Sequence, residues 1–179
     1  MKITETKLKG AYVIEPDVFS DNRGSFTKTF HEETFLRENF NTKFAESFYS
    51  ISNKGVIRGM HFQIPPQDHA KLVYIPSGAA IDVILDIRKS SPTYGQFEKI
   101  EINSTNHKMV YIPRGFAHGF IALEDSTCMV YLQETMRSAE CEAGIKYDSF
   151  GMDWKVKNPI ISKRDGEFPG LKEYVTPFA

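Results

Sequence analysis

Two short segments of the 179-residue chain carry histidines where they could move protons. Residues 56–63 (VIRGMHFQ) put Arg58 and His61 into an otherwise apolar strand pattern, and residues 113–118 (PRGFAH) end in His118. An imidazole with an ordinary pKa near 6.5 suits a general base at neutral pH. A lone histidine is more often a hydrogen-bonded core residue, so neither segment decides a function by itself.

Strand parity raises a question about the first segment. Side chains alternate along a strand, so Arg58 and His61, which are three residues apart, should point to opposite faces. A β-bulge at Gly59 would reset the alternation and bring both side chains to one face. Otherwise Arg58 serves a different part of the pocket or a neighbouring subunit.

Three other residues could join a proton-transfer site, and each also has a purely structural interpretation. Lys71 begins residues 71–75 (KLVYI), where a strand-end lysine can extend its ammonium to solvent. Tyr131 lies in the apolar residues 128–133 (CMVYLQ), where a core position is equally expected. Asp165 lies in a polar run and would by itself be a solvated turn residue.

The elements that must position these residues are mostly strands. In residues 79–87 (AAIDVILDI), Ile81 and every second residue after it share one face, while Ala80 and its alternates share the other. The other predicted strands are 11–14, 25–30, 44–51, 56–62, 71–75, 97–102, 108–112, 119–123 and 128–133. About ten short strands at near-regular spacing predict an all-β sandwich or jelly-roll barrel. One helix is predicted at 31–40, and the tail after Trp154 is expected to wrap the barrel in turns and short helices.

Composition limits the function classes. The 22 Lys plus Arg residues balance 23 Asp plus Glu, for a net charge of −1, which argues against nucleic-acid binding. No apolar run approaches the roughly 20 residues that span a bilayer, and residues 1–10 are too polar for a signal peptide. Cys128 and Cys141 show neither metal-type nor disulfide-scaffold spacing. We expect one domain over residues 1–179, located in a reducing cytoplasm.

The second histidine segment also bears on metal binding. Residues 113–118 match the Pro-x-Gly-x-x-His element that recurs in cupin barrels, where the histidine points into the barrel mouth. A metal-binding cupin would also carry His-x-His and a glutamate on an earlier strand. Here residues 61–63 read His-Phe-Gln. We therefore predict a barrel without a metal, and a metal-dependent cupin oxygenase is the alternative.

Taken together, these segments resemble the dTDP-4-dehydrorhamnose 3,5-epimerase family. The resemblance runs from about Gly10 to about Pro169, with matches in family order and at near-family spacing. The matching parts are 21–24 (DNRG), 58–63 (RGMHFQ), 71–73 (KLV), 86–91 (DIRKSS) and 112–120 (IPRGFAHGF), with Tyr131, Glu142 and Asp165. The resemblance implies a cupin jelly-roll barrel (a double-stranded β-helix) with a few short helices, a homodimer, and an epimerase of a nucleotide-linked 4-keto-6-deoxy sugar.

The resemblance also implies roles for single residues. The histidine matching His61 is the family's general base, and the aspartate matching Asp165 pairs with it. The tyrosine matching Tyr131 donates a proton on the opposite sugar face, and the lysine matching Lys71 lies near the ketone. Substrate-contacting positions match His118, Arg23, Arg58, Glu142 and Arg164, with the arginines chiefly near phosphate. The rhamnose enzymes usually have lysine at the Arg164 position, which keeps the charge.

The chemistry explains why these residue types are needed. A C–H beside a ketone is a very weak acid, so a base alone achieves little. A fixed cation such as Lys71 must meet the negative charge that grows on the enolate oxygen. Asp165 would orient the His61 ring and stabilise its imidazolium. Inversion requires reprotonation from the other face, which Tyr131 can supply, and no step needs a metal or redox cofactor.

Departures from the family cluster at the nucleobase end. Lys28 stands where the family has an acidic residue, residues 46–48 (Glu-Ser-Phe) replace a Gln-Asp-Asn run, and residues 136–137 (Met-Arg) replace paired aromatic residues. Exchanging an acceptor for a cation reverses the hydrogen-bond pattern that discriminates bases. Lys28 and Glu46 are therefore predicted to contact the substrate. We hypothesise that the nucleotide attached to the sugar, which we call the handle, is not dTDP but another nucleotide such as CDP.

Other interpretations of the same residues are open. A single-centre epimerase or a 4-keto-sugar ketoisomerase could use the same barrel, although Tyr131 favours full inversion. A catalytically silent sugar-binding jelly roll would not need a matched base and acid, and it is disfavoured by the presence together of His61, Lys71, Tyr131 and Asp165. The dimer itself could form through an apolar strand around Tyr12–Ile14 that adds to a partner's sheet.

Overall fold

Thirteen strands and two short helices make up the computed structural model, which describes residues 1–179. The strands are β1 (Lys2–Glu5), β2 (Tyr12–Glu15), β3 (Val18–Asp21), β4 (Gly24–Thr27), β5 (Glu46–Ser52), β6 (Ile57–Gln63), β7 (Lys71–Ser77), β8 (Ala79–Asp86), β9 (Phe97–Asn103), β10 (Met109–Ile112), β11 (Phe116–Ala122), β12 (Thr127–Gln133) and β13 (Glu142–Gly144). The helices are α1 (Glu32–Arg37) and α2 (Lys163–Gly166). Only the central part of the helix predicted at 31–40 is helical. Neither helix has the length or apolar character to cross a bilayer.

Two antiparallel sheets face each other and enclose the main core. One has the strand order β1-β2-β10-β7-β12-β5 and the other the order β13-β6-β11-β8-β9. The larger apolar cluster combines Val73 and Met129 from the first sheet with Ile84 and Phe120 from the second. These side chains fill the space between the sheets, and the predicted all-β cupin jelly-roll barrel is confirmed.

The outer face of the five-stranded sheet is also buried. The alternation predicted for residues 79–87 is confirmed, because Ile84 lies inside the barrel whereas Leu85 packs outside it. The outer cluster includes Trp154, and Tyr174 of the tail packs against it. The tail therefore wraps the barrel as predicted and shields an apolar sheet face from water.

The N-terminal region differs from the expectation for dimer formation. β2 pairs with β1 on one side and β10 on the other, so the strand around Tyr12–Ile14 has no free edge to offer a partner. That prediction is wrong because a strand not foreseen at Lys2–Glu5 covers the edge. Exposed apolar side chains lie instead on the hairpin β3–β4, where Phe19 and Phe26 are 61% and 62% exposed, and on the edge strand β5, where Tyr49 is 66% exposed.

A β-bulge in β6 sets the orientation of the first histidine segment. Arg58 and His61 are three residues apart, yet their pairing partners on β11, Phe120 and His118, are two apart. β6 thus carries one extra residue, and Gly59 accommodates it with a φ of +141° that L side chains rarely adopt. The predicted reset of strand parity is confirmed, because both side chains now face the same cavity.

Candidate active site

A cavity of about 560 Å³ lies between the two sheets and receives side chains from both. The residues singled out from the sequence that line it are Arg58, His61, Lys71, His118, Tyr131, Glu142 and Arg164. Asp165 lies behind His61 and contacts it directly. Seven of the eleven predicted site residues thus share one cavity, and an eighth supports it.

His61 and Asp165 form a hydrogen-bonded pair at the β6 wall. His61 Nε2 lies 2.9 Å from Asp165 Oδ1, and the Gly59 N–H donates to Asp165 Oδ2 at 3.2 Å. The bulge that turns His61 toward the cavity therefore also frees the backbone donor that holds its carboxylate. Ser162 caps α2 by accepting a hydrogen bond from the Asp165 N–H, which fixes the carboxylate from the other side.

The charge state of this pair follows from its surroundings. Burial acts to raise the pKa of Asp165, but hydrogen bonding and charge from His61, with the Gly59 N–H, outweigh burial and lower it to about 2. A carboxylate only accepts, so His61 Nε2 must carry the hydrogen that points at Asp165. His61 Nδ1 is then the basic nitrogen, and the pair is arranged as a general base.

Two arginines and a glutamate form the rim beside this pair, which we call the ionic rim (Arg137, Glu142 and Arg164). Arg137 donates to both Glu142 oxygens at 2.9 Å, and Arg164 Nη1 lies 3.3 Å from Glu142 Oε2. Arg164 also reaches Asp165 Oδ1 at 3.3 Å, and its Nη2 lies 3.2 Å from His61 Nε2. Because guanidinium only donates, this last contact is not a hydrogen bond while Nε2 serves Asp165. The rim presents two cations at the mouth of the cavity.

Lys71 lies inside the barrel rather than at its surface. Its side chain lines the cavity and the residue is 6% exposed, so the solvent-directed interpretation is wrong. Burial lowers its pKa to about 8, and the nearby Asp82 charge limits the shift. At neutral pH the ammonium form therefore predominates, and it is a fixed cation in an environment where charges interact strongly.

His118 pairs with Asp82, a residue that the sequence reasoning did not single out. His118 Nε2 lies 2.7 Å from Asp82 Oδ1, and both side chains are buried. Burial lowers the pKa of His118 despite the carboxylate, which favours the neutral ring. The available signal was an acidic residue on the inner face of β8, between Ala80 and Ile84.

Tyr131 lies on the opposite sheet from His61. Its ring stacks on Phe48 with 4.7 Å between centroids and meets the His118 ring edge-on at 6.1 Å. Burial raises the pKa of the Tyr131 phenol, which therefore keeps its proton at neutral pH. A proton acceptor on β6 and a proton donor on β12 thus border the same cavity from two sides.

Three predicted substrate-binding residues do not line the cavity of a single chain. Arg23 lies at the end of the exposed hairpin, where it pairs with Asp21 at 2.6 Å. Lys28 follows that hairpin, and its N–H donates to the Asp17 carbonyl. Glu46 is nearer, since it accepts from the Arg137 N–H at 2.8 Å at the edge of the ionic rim.

The sequence reasoning also missed a group of buried polar side chains in the cavity wall. Gln63, His69 and Gln133 line the cavity and are nearly inaccessible to solvent. Gln63 Nε2 donates to the Gln67 carbonyl at 2.8 Å, and His69 Nδ1 lies 2.9 Å from Thr135 Oγ1. Burial lowers the pKa of His69 to about 4, so its ring is neutral in the folded protein.

The fold and cavity define a cupin-type isomerase that moves protons at carbon. The sequence profile of the family described as dTDP-4-dehydrorhamnose 3,5-epimerase matches residues 5–173. The chain belongs to this family.

Relatives of known name agree with this assignment. The dTDP-4-dehydrorhamnose 3,5-epimerase of Methanothermobacter thermautotrophicus is 37% identical over 96% of this chain and 95% of its own. The crystal structure of dTDP-4-dehydrorhamnose 3,5-epimerase from Sulfolobus tokodaii superposes with a TM-score of 0.90 at 40% identity, covering 97% of both chains. A dTDP-4-dehydrorhamnose 3-epimerase of Streptomyces niveus is 32% identical over 92% of this chain and 81% of its own. The family therefore includes enzymes named for two centres and for one.

Proposed function

We propose that this chain inverts both C3 and C5 of a nucleotide-linked 4-keto-6-deoxy sugar. The observation that carries the proposal is the shared cavity, with the His61–Asp165 pair at one sheet, Tyr131 on the other and the buried Lys71 in the same lining. A single base or a single acid would not serve inversion, because the carbon must lose a proton on one face and gain one on the other.

Proton abstraction is the first step. His61 Nδ1 takes the hydrogen from the carbon beside the ketone, and the C–H electron pair forms the C=C bond of the enolate while the carbonyl electrons move to oxygen. The Lys71 ammonium stabilises that oxygen in a site that excludes most water. The carboxylate of Asp165 stabilises the imidazolium as it forms.

Reprotonation completes the inversion. Tyr131 transfers its phenolic hydrogen to the enolate carbon from the side opposite His61, and the carbonyl re-forms at C4. The tyrosinate recovers a proton, and His61 releases one, by exchange with water through the open mouth of the cavity. The same sequence at the second carbon beside the ketone inverts the other centre, and no step requires a metal or a redox cofactor.

The nucleotide diphosphate is held at the arginine side of the cavity. Arg58 lines the cavity, and Arg164 and Arg137 of the ionic rim add two cations at its mouth. Guanidinium groups suit phosphate oxygens because they donate paired hydrogen bonds in a fixed geometry. Glu142 accepts from both rim arginines and keeps them together before substrate arrives.

A second copy of the chain completes the binding site. The apolar hairpin β3–β4 carries Arg23 and exposes Phe19 and Phe26, too much apolar surface for a hairpin that stays in water. In a homodimer this hairpin covers the partner and brings Arg23 and Lys28 to the partner's cavity. Phe26→Asp should convert the dimer to a monomer in light scattering; an unchanged mass would contradict this arrangement.

The assay is proton exchange in D2O, followed by NMR with a dTDP-linked 4-keto-6-deoxy sugar. Double inversion places deuterium at C3 and C5, whereas a single-centre epimerase labels one carbon, the alternative that the named 3-epimerase relative supports. His61→Asn is the control for enzyme-dependent exchange. Wild-type protein that labels only one carbon would overturn double inversion, and protein that labels neither would overturn the proposed reaction altogether.

The nucleobase of the handle is a separate question. Lys28 and Glu46 replace residue types of the family at the nucleobase end, and Glu46 lies beside Arg137. We propose that a cytosine base is accepted at least as well as thymine. Comparing kcat/KM for the dTDP- and CDP-linked sugars tests this idea, and a large preference for dTDP would rule it out. With either nucleotide, we propose that the enzyme acts in cytoplasmic deoxysugar synthesis for a lipopolysaccharide or capsule.

A further inference from the structure

Two buried aspartates on β8 differ in how their carboxylates are satisfied. Asp82 and Asp86 are both 0% exposed and, four residues apart, share one face of the strand. Asp86 Oδ2 accepts from Arg88 at 2.7 Å, Ser91 at 2.6 Å and Thr93 at 2.7 Å, and its Oδ1 also binds Arg88. Asp86 is therefore fully hydrogen-bonded within the turn that follows β8, which is a structural arrangement.

Asp82 has no comparable set of hydrogen-bond donors. Its Oδ1 contacts His118 Nε2 at 2.7 Å, while its Oδ2 is buried and has no hydrogen-bond partner. Burying a carboxylate with one free oxygen is costly, so a structural role alone does not account for it. Asp82 is also the carboxylate whose charge acts on Lys71.

We propose that Asp82 is a positioning residue that keeps Lys71 charged and fixes the tautomer of His118. The inference rests on the proposed function and assigns a task to a residue outside the cavity surface. With its hydrogen on Nε2 and directed at Asp82, His118 presents Nδ1 as an acceptor. Nδ1 can then receive a hydrogen bond from a hydroxyl of the bound sugar.

The charge balance around Lys71 explains why the aspartate is needed. The titratable or charged groups around the cavity interior are Arg58 and His61 on β6, His69 before β7, Asp82 on β8, His118 on β11 and Tyr131 on β12, together with the carboxylates Asp165, Glu134 and Glu142. The last three carboxylates are engaged elsewhere, Asp165 by His61, Glu134 by Arg114 and Glu142 by Arg137, and Asp82 is the one whose charge acts on Lys71. Burial already lowers the pKa of Lys71 to about 8, and Asp82 opposes this shift. Without that charge the lysine would lose its proton at a lower pH and no longer stabilise an oxyanion.

The test compares Asp82→Asn with Asp86→Asn, a matched control from the same strand face. In wild-type enzyme, kcat should fall above pH about 8. This fall is the basic limb of the pH profile of kcat. Asp82→Asn should move the limb to a lower pH by about one unit or more, because a nearby opposite charge shifts a pKa by that much. Part of its lost kcat should return when the pH is lowered toward 7. Asp86→Asn should lower Tm yet leave the limb in place. An unmoved limb in Asp82→Asn, or equal shifts in both, would overturn the proposal.

A measurement on unmodified protein guards against variants that fail to fold. In ¹⁵N-correlated NMR of the wild type, His118 should show a protonated Nε2 and an unprotonated Nδ1, and the Lys71 side chain should titrate near pH 8. The opposite tautomer, or a Lys71 side chain that is already neutral at pH 7, would overturn the proposal. These signals need no substrate, so they test Asp82 even if the sugar is not turned over and the proposed function fails.

Discussion

The interior of the cavity and its ionic rim differ in solvent exposure and in what holds their charged side chains in place. In the interior, Lys71, His118 and Asp165 are almost inaccessible to water, and β-strands or a capped turn fix their positions. At the rim, the Arg137 and Arg164 side chains are 61% and 53% exposed and are held by ion pairs. Charges interact strongly in the interior, whereas exposed pairs are weak and screened by salt. The comparison suggests that the interior sets the chemistry and the rim sets which substrate enters.

Replacing the base should have the largest effect and would test the interior directly. His61→Asn should lower kcat by about 10³-fold, since a positioned general base contributes roughly 10²–10⁴. Affinity for dTDP should change little because the proposed nucleotide site is at the rim. Turnover kinetics and calorimetric titration measure the two quantities.

His107→Asn is a suitable control, since His107 lies in a loop away from the cavity and Asn tolerates its positive φ of 53°. It should leave kcat unchanged. A His61→Asn enzyme that keeps most of its activity would place the base elsewhere and break the distinction between interior and rim.

The bulge that builds the interior should be intolerant of a side chain. In Gly59→Ala the new Cβ would lie 2.5 Å from the Gly119 Cα, at a φ of +141°. The Gly119 backbone cannot move aside without disturbing the pairing of β6 with β11. The free energy of unfolding should therefore fall by more than about 3 kcal/mol. Urea denaturation measures this loss.

Gly55→Ala provides the matched comparison. Gly55 also has a positive φ, +81°, but a methyl group added there would have no atom within 4 Å. Its cost should be only about 1 kcal/mol. Equal losses for the two variants would show that the close backbone contact at the bulge has no special importance.

Features that depend on neighbouring residues in the sequence could be predicted, whereas features that depend on distant partners could not. Strand alternation predicts the barrel, and a glycine between Arg58 and His61 signals the bulge, because both patterns are local. Asp82 and Asp86 look alike in the sequence, since the partners that distinguish them come from β11 and from the turn after β8. No local pattern carries that difference.

The predicted binding residues outside the cavity were placed less well, for another reason. Arg23, Lys28 and Glu46 were chosen from the family resemblance, and within one chain none of them lines the cavity. The hairpin that carries Arg23 forms a separate, mostly exposed two-stranded sheet, and its proposed place at a partner's cavity cannot be read from one chain. Sequence patterns report burial within a chain better than burial between chains.

Acid should unfold the protein partly through an interior histidine. The pKa of His69 is lowered from 6.5 to about 4 by burial, so the unfolded chain takes up the proton first. Stability should therefore fall as the pH drops from about 6.5 to about 4, by on the order of 2–3 kcal/mol from this residue. Below pH about 4 both states are protonated and the loss from His69 should cease.

Thermal unfolding across this pH range measures the effect, and His69→Gln is the comparison because glutamine does not titrate. The variant should lose less stability than the wild type between pH 6.5 and about 4. If the two curves stay parallel, the buried histidine does not contribute to acid sensitivity, and the low-dielectric description of the interior needs revision.

The smallest effect is expected at the rim, where it should appear in binding and not in chemistry. Arg137→Ala should raise KM about five-fold at low salt with kcat nearly unchanged, because a contact shared by ground and transition state affects binding alone. The difference should shrink in high salt, since the side chain is exposed. Arg114→Ala is the matched control, because Arg114 is also a half-exposed arginine paired with a glutamate but does not line the cavity. If kcat fell instead, and salt made no difference, Arg137 would act on the reacting carbons and the division between interior and rim would not hold.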